Sequence, residues 1–127
     1  IVVGESLLGK RVSFSNDRVR ILRDYPNAIY FKGFDYSIQA GGYNSYHEMR
    51  ASQIPTIFYP NMNTGMDDQL ARCKVAEKEG WGIVVEQRHK QFIDDGIVKI
   101  TTLHLNDKFL KTEKNSMQWV ADLTNNP

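Results

Sequence analysis

The 127-residue sequence has a single cysteine, Cys73. One thiol excludes an internal disulfide and a zinc site built on several cysteines, so a reducing, cytoplasmic compartment is expected. Charge of one sign is also scarce: 16 Lys and Arg face 15 Asp and Glu, a formal net charge of +1. No overall field draws such a chain to nucleic acid or anionic lipid, and binding of that kind would need a local patch. Long hydrophobic runs are absent, none nearing the roughly 18 to 20 apolar residues of a spanning helix. No basic stretch leads into an apolar core at the start, and repeats and low-complexity runs are missing. The histidines His47, His89 and His104 show no metal-ligand spacing. Each is expected to be solvated or paired with a neighbour rather than to act as ligand or base. No Ser-His-Asp or Cys-His arrangement is supported by spacing.

What is present is one domain's worth of chain, long enough to bury a core, and residues 1–127 read as a single domain. It opens without Met on the strand-like Ile1-Val2-Val3, so a piece of a longer protein, truncated at its N-terminus, is expected. Ile1 to Val3 reads as a buried strand ending in Gly4-Glu5-Ser6. Polar, turn-prone residues connect it to Arg18 to Leu22, where charged and apolar residues alternate as in a half-exposed strand. About a dozen connecting residues lie at the lower limit for a parallel crossover with its helix, so a hairpin or an irregular link is expected. After Asp24-Tyr25-Pro26, residues Asn27 to Lys32 form a short helix or, nearly as well, an extended segment.

The stretch from Asp35 to Gln69 organises the rest. Asp35 to Gln39 makes a short strand ended by Ala40-Gly41-Gly42, where two glycines allow positive φ and remove side-chain bulk. Asn44 and Ser45 are good N-cap residues, and Ser45 with Glu48 has capping-box spacing, so Glu48 is either a cap or a ligand contact. That helix runs to about Gln53, because Pro55 disfavours helical geometry at Ile54. Thr56 to Tyr59, flanked by Pro55 and Pro60, suits a central parallel strand. The loop Asn61 to Met66 carries residues that shape binding turns. Asp67 to Glu79 is a helix with acids at its start, lysines toward its end and Gly80 as its stop. Leu70, Cys73 and Ala76 form its inward stripe, which makes Cys73 core filler rather than a nucleophile. Trp81 to Glu86 is the next strand and Gln87 to Asp95 a charged connection. Ile97 to Leu110 fits a helix or a strand, and Ser116 to Leu123 a last helix.

Strands alternating with helices at short intervals predict an α/β layer sandwich on a parallel sheet. Ligands of such sheets bind at the carboxyl ends of the strands. Gly41 to Glu48 and Asn61 to Gln69 both leave strands at that edge. Two helix N-termini then open there, offering unpaired N–H groups and partial positive charge to a phosphate-bearing ligand. Tyr43 and Tyr46 beside the turn either stack on a base or sugar or fill the core.

The turn Gly41-Gly42-Tyr43-Asn44-Ser45-Tyr46-His47-Glu48, the Ile54-Pro55-Thr56 lead into a buried strand, and Asp67-Asp68-Gln69 followed by Arg72-Cys73 and Glu77-Lys78-Glu79-Gly80 form an ordered set. That set resembles the C-terminal half of GT-B glycosyltransferases, a Rossmann-like fold, and among them family 28, which includes the peptidoglycan-precursor N-acetylglucosaminyltransferase and plant galactolipid synthases. The likeness covers about Phe34 to Glu86 well and the flanks loosely. It implies a half that binds a nucleotide-sugar donor, usually a UDP-sugar, while an N-terminal half binds the acceptor and supplies the general base. By position, Gly41, Gly42, Asn44 and Ser45 would cradle the diphosphate, Glu48 would accept from the ribose hydroxyls, and Asp68 and Gln69 would hold hydroxyls of the donor sugar. The implied reaction is an inverting transfer that requires no metal or other cofactor, and the isolated piece would be inactive. Its partners would be the UDP-sugar and the acceptor-binding half, in the same chain or another, with peripheral membrane contact through that half and no nucleic acid. Ala40-Gly41 stands where the peptidoglycan enzyme has Arg-Ser, and Asp68 where it has the first of two glutamines. A UDP-sugar 2-epimerase of related architecture, and a non-catalytic sugar-nucleotide-binding module that needs a partner chain, remain as alternatives.

Overall fold

The computed structural model describes residues 1–5, 9–63, 65–103 and 105. By its contacts the chain divides into two compact units, Ile1–Gly33 and the chain from Phe34 onward. Among the described residues no helix is long and apolar enough to cross a membrane.

In the first unit, β1 (Val2–Gly4) and β2 (Arg20–Leu22) pair in parallel, with Val3 opposite Ile21. The parallel pairing rules out the expected hairpin, and residues 9–19 of the link carry no helix or strand. Glu5 closes the link. Its carboxylate accepts from the Val12 amide at 3.0 Å and from Arg23 Nε at 2.8 Å. The Val12 hydrogen bond, with Arg23 behind it, holds the Glu5 carboxyl below its usual range. Ile1 and Val2 are exposed, not buried as expected, because two strands of three residues cover little of each other's faces. Asn27–Gly33 is a 3₁₀ helix with Phe31 buried, so the helical reading of that segment holds over the extended one.

The second unit carries β3 (Ser37–Gln39), α1 (Tyr43–Ala51), β4 (Thr56–Phe58), α2 (Gln69–Glu79), β5 (Gly82–Val84) and α3 (Lys90–Thr101). Its sheet has the order β3-β4-β5, all parallel, with Ser37, Thr56 and Gly82 in register. The α/β class with a parallel sheet is thus the class observed. β4 is the central strand, and all three of its residues are buried. Alternation along it sorts two cores. Phe58 points toward α1 and α2, in ring contact with Tyr46 and Trp81 at centroid distances of 5.6 and 5.4 Å. Ile57 points the other way and packs with Val85 and Ile100, beneath Ile93 and Ile97 of α3. The polar residue of the strand, Thr56, is satisfied by donating to the Ile54 carbonyl at 2.9 Å and sharing a 2.8 Å hydrogen bond with Ser37 Oγ.

Helix ends follow local chemistry. α1 stops at Ala51, and Gln53 takes a left-handed φ of 56°. Its N–H reaches the Arg50 carbonyl and that of Ile54 reaches Met49, the paired closure of a Schellman motif. α2 stops the same way at Gly80, φ 81°, as the sequence predicts, with Trp81 N–H on the Ala76 carbonyl.

The region after β5 departs from expectation. Gln87 to Asp95 was expected as a connection, yet α3 already begins at Lys90. Ile93, Ile97 and Ile100 recur at helical spacing on the face toward the sheet, while Lys90 and Asp94 pair on the solvent side. Polar composition masked an amphipathic helix. The strand alternative for Val98, Ile100 and Thr102 is also corrected, since all but Thr102 lie in α3 and Val98 is exposed where Ile100 is buried. The expected helix Ser116 to Leu123 and residue His104 lie outside the described residues.

Candidate functional site

Because β3, β4 and β5 are parallel, α1 and α2 both start at the carboxyl edge of the sheet. Gly41 ends β3's exit with φ 86°, a conformation that L side chains rarely adopt. It is buried, and a Cβ there would overlap Cys73 Sγ on α2. The bulk removed at this turn makes room for a helix of the fold itself.

Gly42 is the N-cap of α1, and no side chain caps the helix. The expected capping box is therefore corrected. Asn44 and Ser45 lie within the first turn, and Glu48 lies in the second, exposed, too far along to reach back to the N-cap amide. The helix begins earlier than the sequence implied because the second glycine itself takes the cap position. A glycine cap leaves the first N–H groups of α1 without a side-chain acceptor.

At α2 the arrangement is the reverse. Asp68 is the N-cap, its Oδ1 accepting from the Ala71 amide at 2.9 Å, so α2 begins two residues later than expected. Gln69 is buried, with Oε1 accepting from the Asn61 amide at 3.0 Å and Nε2 donating to Asp67 Oδ2 at 3.3 Å. Its Nε2 lies 3.9 Å from where a Cβ on Gly42 would stand. The two sequence clusters thus meet at one edge, with Gln69 beside the cap of α1.

Arg72 joins them more firmly. Nη1 donates to the Gly41 carbonyl at 2.8 Å, Nη2 pairs with Asp67, and the guanidinium lies over the Tyr43 ring, 5.4 Å from its centroid. Sequence reading noted Arg72 only within a motif and missed it as a site residue. Its position one turn beyond the acidic helix start, on the side facing the glycine turn, is the signal that marks it. The Asp67 hydrogen bond raises the guanidinium pKa, and the Arg72 hydrogen bond lowers the Asp67 carboxyl below its ordinary 3.8. Stability from this pair is fully present above that ordinary value and lost as pH falls through the folded one. Asp67→Asn should therefore flatten the acid limb of the stability profile, read as the urea midpoint below about pH 4. An unchanged acid slope would show that the pair contributes nothing.

The remaining polar and aromatic groups sort simply. Tyr46 is buried in the ring cluster, whereas Tyr43 is exposed on the first turn of α1. His47 is exposed and packs against both tyrosine rings, at 4.5 and 5.2 Å. His89 is the exposed N-cap residue of α3. Burial pushes the Cys73 thiol up to about 11, so it is protonated at neutral pH and serves as core. Among the described residues no group of three His, Cys, Asp or Glu side chains stands together where it would hold a metal. A shallow cavity between β5 and α3, lined by Val85, Phe92 and Lys99 among others, lies on the opposite face and includes none of the candidate residues.

No family model matches the sequence, and no curated protein matches it. Solved structures do. The glycotransferase of kitacinnamycin superposes with a TM-score of 0.66 at 13% identity, covering 90% of this chain and 29% of that one. The spinosyn forosaminyltransferase SpnP superposes with a TM-score of 0.63 at 13% identity, covering 99% of this chain and 31% of that one. The chain spans less than a third of either protein. Its fold is that of a portion of these glycosyltransferases.

Proposed function

We propose that the chain is the donor-binding portion of a GT-B glycosyltransferase, the C-terminal half in a family 28-like arrangement, taking a nucleotide sugar and specifically a UDP-sugar. The observation that carries this is the glycine-capped start of α1, which offers N–H groups with no side-chain acceptor beside the polar start of α2, on a fold shared with glycosyltransferases. In this reading the diphosphate lies at Gly41, Gly42, Asn44 and Ser45. Glu48, exposed one turn along α1, accepts from the ribose hydroxyls. Asp68 keeps its second carboxylate oxygen for a sugar hydroxyl while Oδ1 caps α2. Gln69 keeps one amide N–H and an oxygen lone pair beyond the bonds that fix it. Transfer would be inverting and would draw its rate from stabilising the charge that develops on the departing UDP, with no metal required. The acceptor and the general base belong to another half, so this chain alone binds without turning over.

Calorimetric titration with UDP, CDP, GDP and dTDP tests the reading. Selective UDP binding is expected, weakened by about 1 to 3 kcal/mol in Glu48→Ala, the range for loss of a hydrogen-bonded charged partner. Because Glu48 is exposed and caps nothing, the variant should melt within about 0.5 kcal/mol of the parent. A folded Glu48→Ala chain that binds UDP as tightly as the parent would remove the ribose role.

A further inference from the structure

The donor site proposed above contains one cation that the sequence did not place there. Arg72 reaches from the second turn of α2 to three groups around the glycine turn: the Gly41 carbonyl, Asp67 and the face of Tyr43. Each contact has a separate consequence. Gly41 has a left-handed φ, and its carbonyl oxygen, if left free beside the start of α1, would present negative charge to an approaching phosphate. Arg72 Nη1 donates to that carbonyl at 2.8 Å and makes its dipole half of a charge-assisted hydrogen bond. Asp67 anchors the other side of the fork, so the planar guanidinium is held rather than free to sweep the surface. Tyr43, the first residue of α1, is held under the cation, which fixes the turn through which α1 presents its first N–H groups.

We propose that Arg72 is the positioning residue of the diphosphate cradle: by binding the Gly41 carbonyl and covering Tyr43, it sets the Gly41 to Tyr43 turn and offsets the Asp67 carboxylate beside it. Ala40 and the two glycines carry no charge of their own. The inference rests on the donor-binding reading and adds to it the residue through which α2 controls the phosphate end of α1. Such a role predicts an effect confined to phosphate. A merely structural arginine would weaken every ligand together or alter stability alone.

The test is NMR titration of the chain and of R72Q and R72K with UDP and with uridine, which shares the base and ribose and lacks the phosphates. R72Q keeps an N–H for the Gly41 carbonyl and loses the charge and the fork. It should bind UDP roughly tenfold more weakly, the loss expected for a charge-assisted contact, with uridine affinity within about twofold of the parent. R72K keeps the charge without the fork and should fall about threefold for UDP alone. The UDP affinity of R72Q should also fall less steeply as salt is added, because the guanidinium is gone and the Asp67 carboxylate it offset now repels the phosphates, a repulsion that salt screens. Equal losses for UDP and uridine, or UDP binding by a folded R72Q chain that matches the parent, would overturn the inference while leaving the donor reading in place. If R72Q does not fold, R72K carries the comparison, and equal losses in it overturn the inference in the same way. A parent chain that binds neither ligand would remove the donor reading and this inference with it.

Discussion

Gly41→Ala is expected to destabilise the second unit by about 2 to 5 kcal/mol, two separate costs falling on one methyl group. The first is backbone. At φ 86° an L residue is strained by about 1 to 2 kcal/mol where glycine is not. The second is packing, since the new Cβ overlaps Cys73 Sγ and also meets Phe58 Cδ1 at 3.5 Å. Cys73 and Phe58 are both fully buried, so neither has an open side to move into, and overpacking of such a core costs about 1 to 3 kcal/mol. Urea denaturation followed by tryptophan fluorescence reads the sum, because Trp81 lies in the same core. A double-mutant cycle separates the parts. Removing the sulfur with Cys73→Ala relieves the overlap but leaves the backbone strain, so the coupling energy should be favourable by about 1 to 3 kcal/mol. A cycle that closes at zero would mean that the turn slides away from α2 without cost. Because Arg72 holds the Gly41 carbonyl, the substitution should also disturb the turn at which the proposed donor site would take its phosphates.

Phe58→Ala should cost about 3 to 5 kcal/mol. Phe58 is fully buried on the central strand, its ring 5.6 Å from Tyr46 on α1 and 5.4 Å from Trp81 beside β5. Tyr46 and Trp81 also touch, at 5.1 Å, so the three rings close on one another and truncating one leaves a cavity that the others cannot fill without leaving their own contacts. Set against a total stability of about 5 to 15 kcal/mol for a domain, that loss is between a fifth and the whole of what holds the unit folded. The comparison variant is Ile38→Ala, on β3, where the residue is 52% exposed. It should cost well under half as much, since the apolar area it removes from the interior is small. Equal losses at the two positions would contradict the layer assignment, in which Phe58 is covered by α1 and α2 and Ile38 is not.

The class of fold was legible because it rests on local rules. Ile54-Pro55 stops one helix and opens a buried strand, Gly80 stops the next helix, and Thr56 to Phe58 is apolar enough to be a central strand. Each of these signals acts within a few residues. The start of α3 was not legible, because Lys90, Asp94 and Asp95 give the segment a loop-like composition while only the spacing of Ile93, Ile97 and Ile100 reveals its buried face. The capping box failed for a related reason. Ser45 and Glu48 have the right spacing, but a glycine two residues before Asn44 had already taken the cap, and sequence spacing cannot rank two competing starts.

By itself the sequence determined which segments are strands and helices around the glycine turn, that the strands alternate with helices as a parallel sheet requires, and that two polar clusters leave the sheet at one edge. These follow from periodicity, breakers and caps, which are short-range. Only the tertiary structure decided that Gly41 is required by Cys73, that Gln69 is buried beside the cap of α1, and that Arg72 is the cation at the turn. Those facts join residues about thirty positions apart, and what brings them together is the packing of α1 and α2 on the same face of β4, which no local pattern encodes.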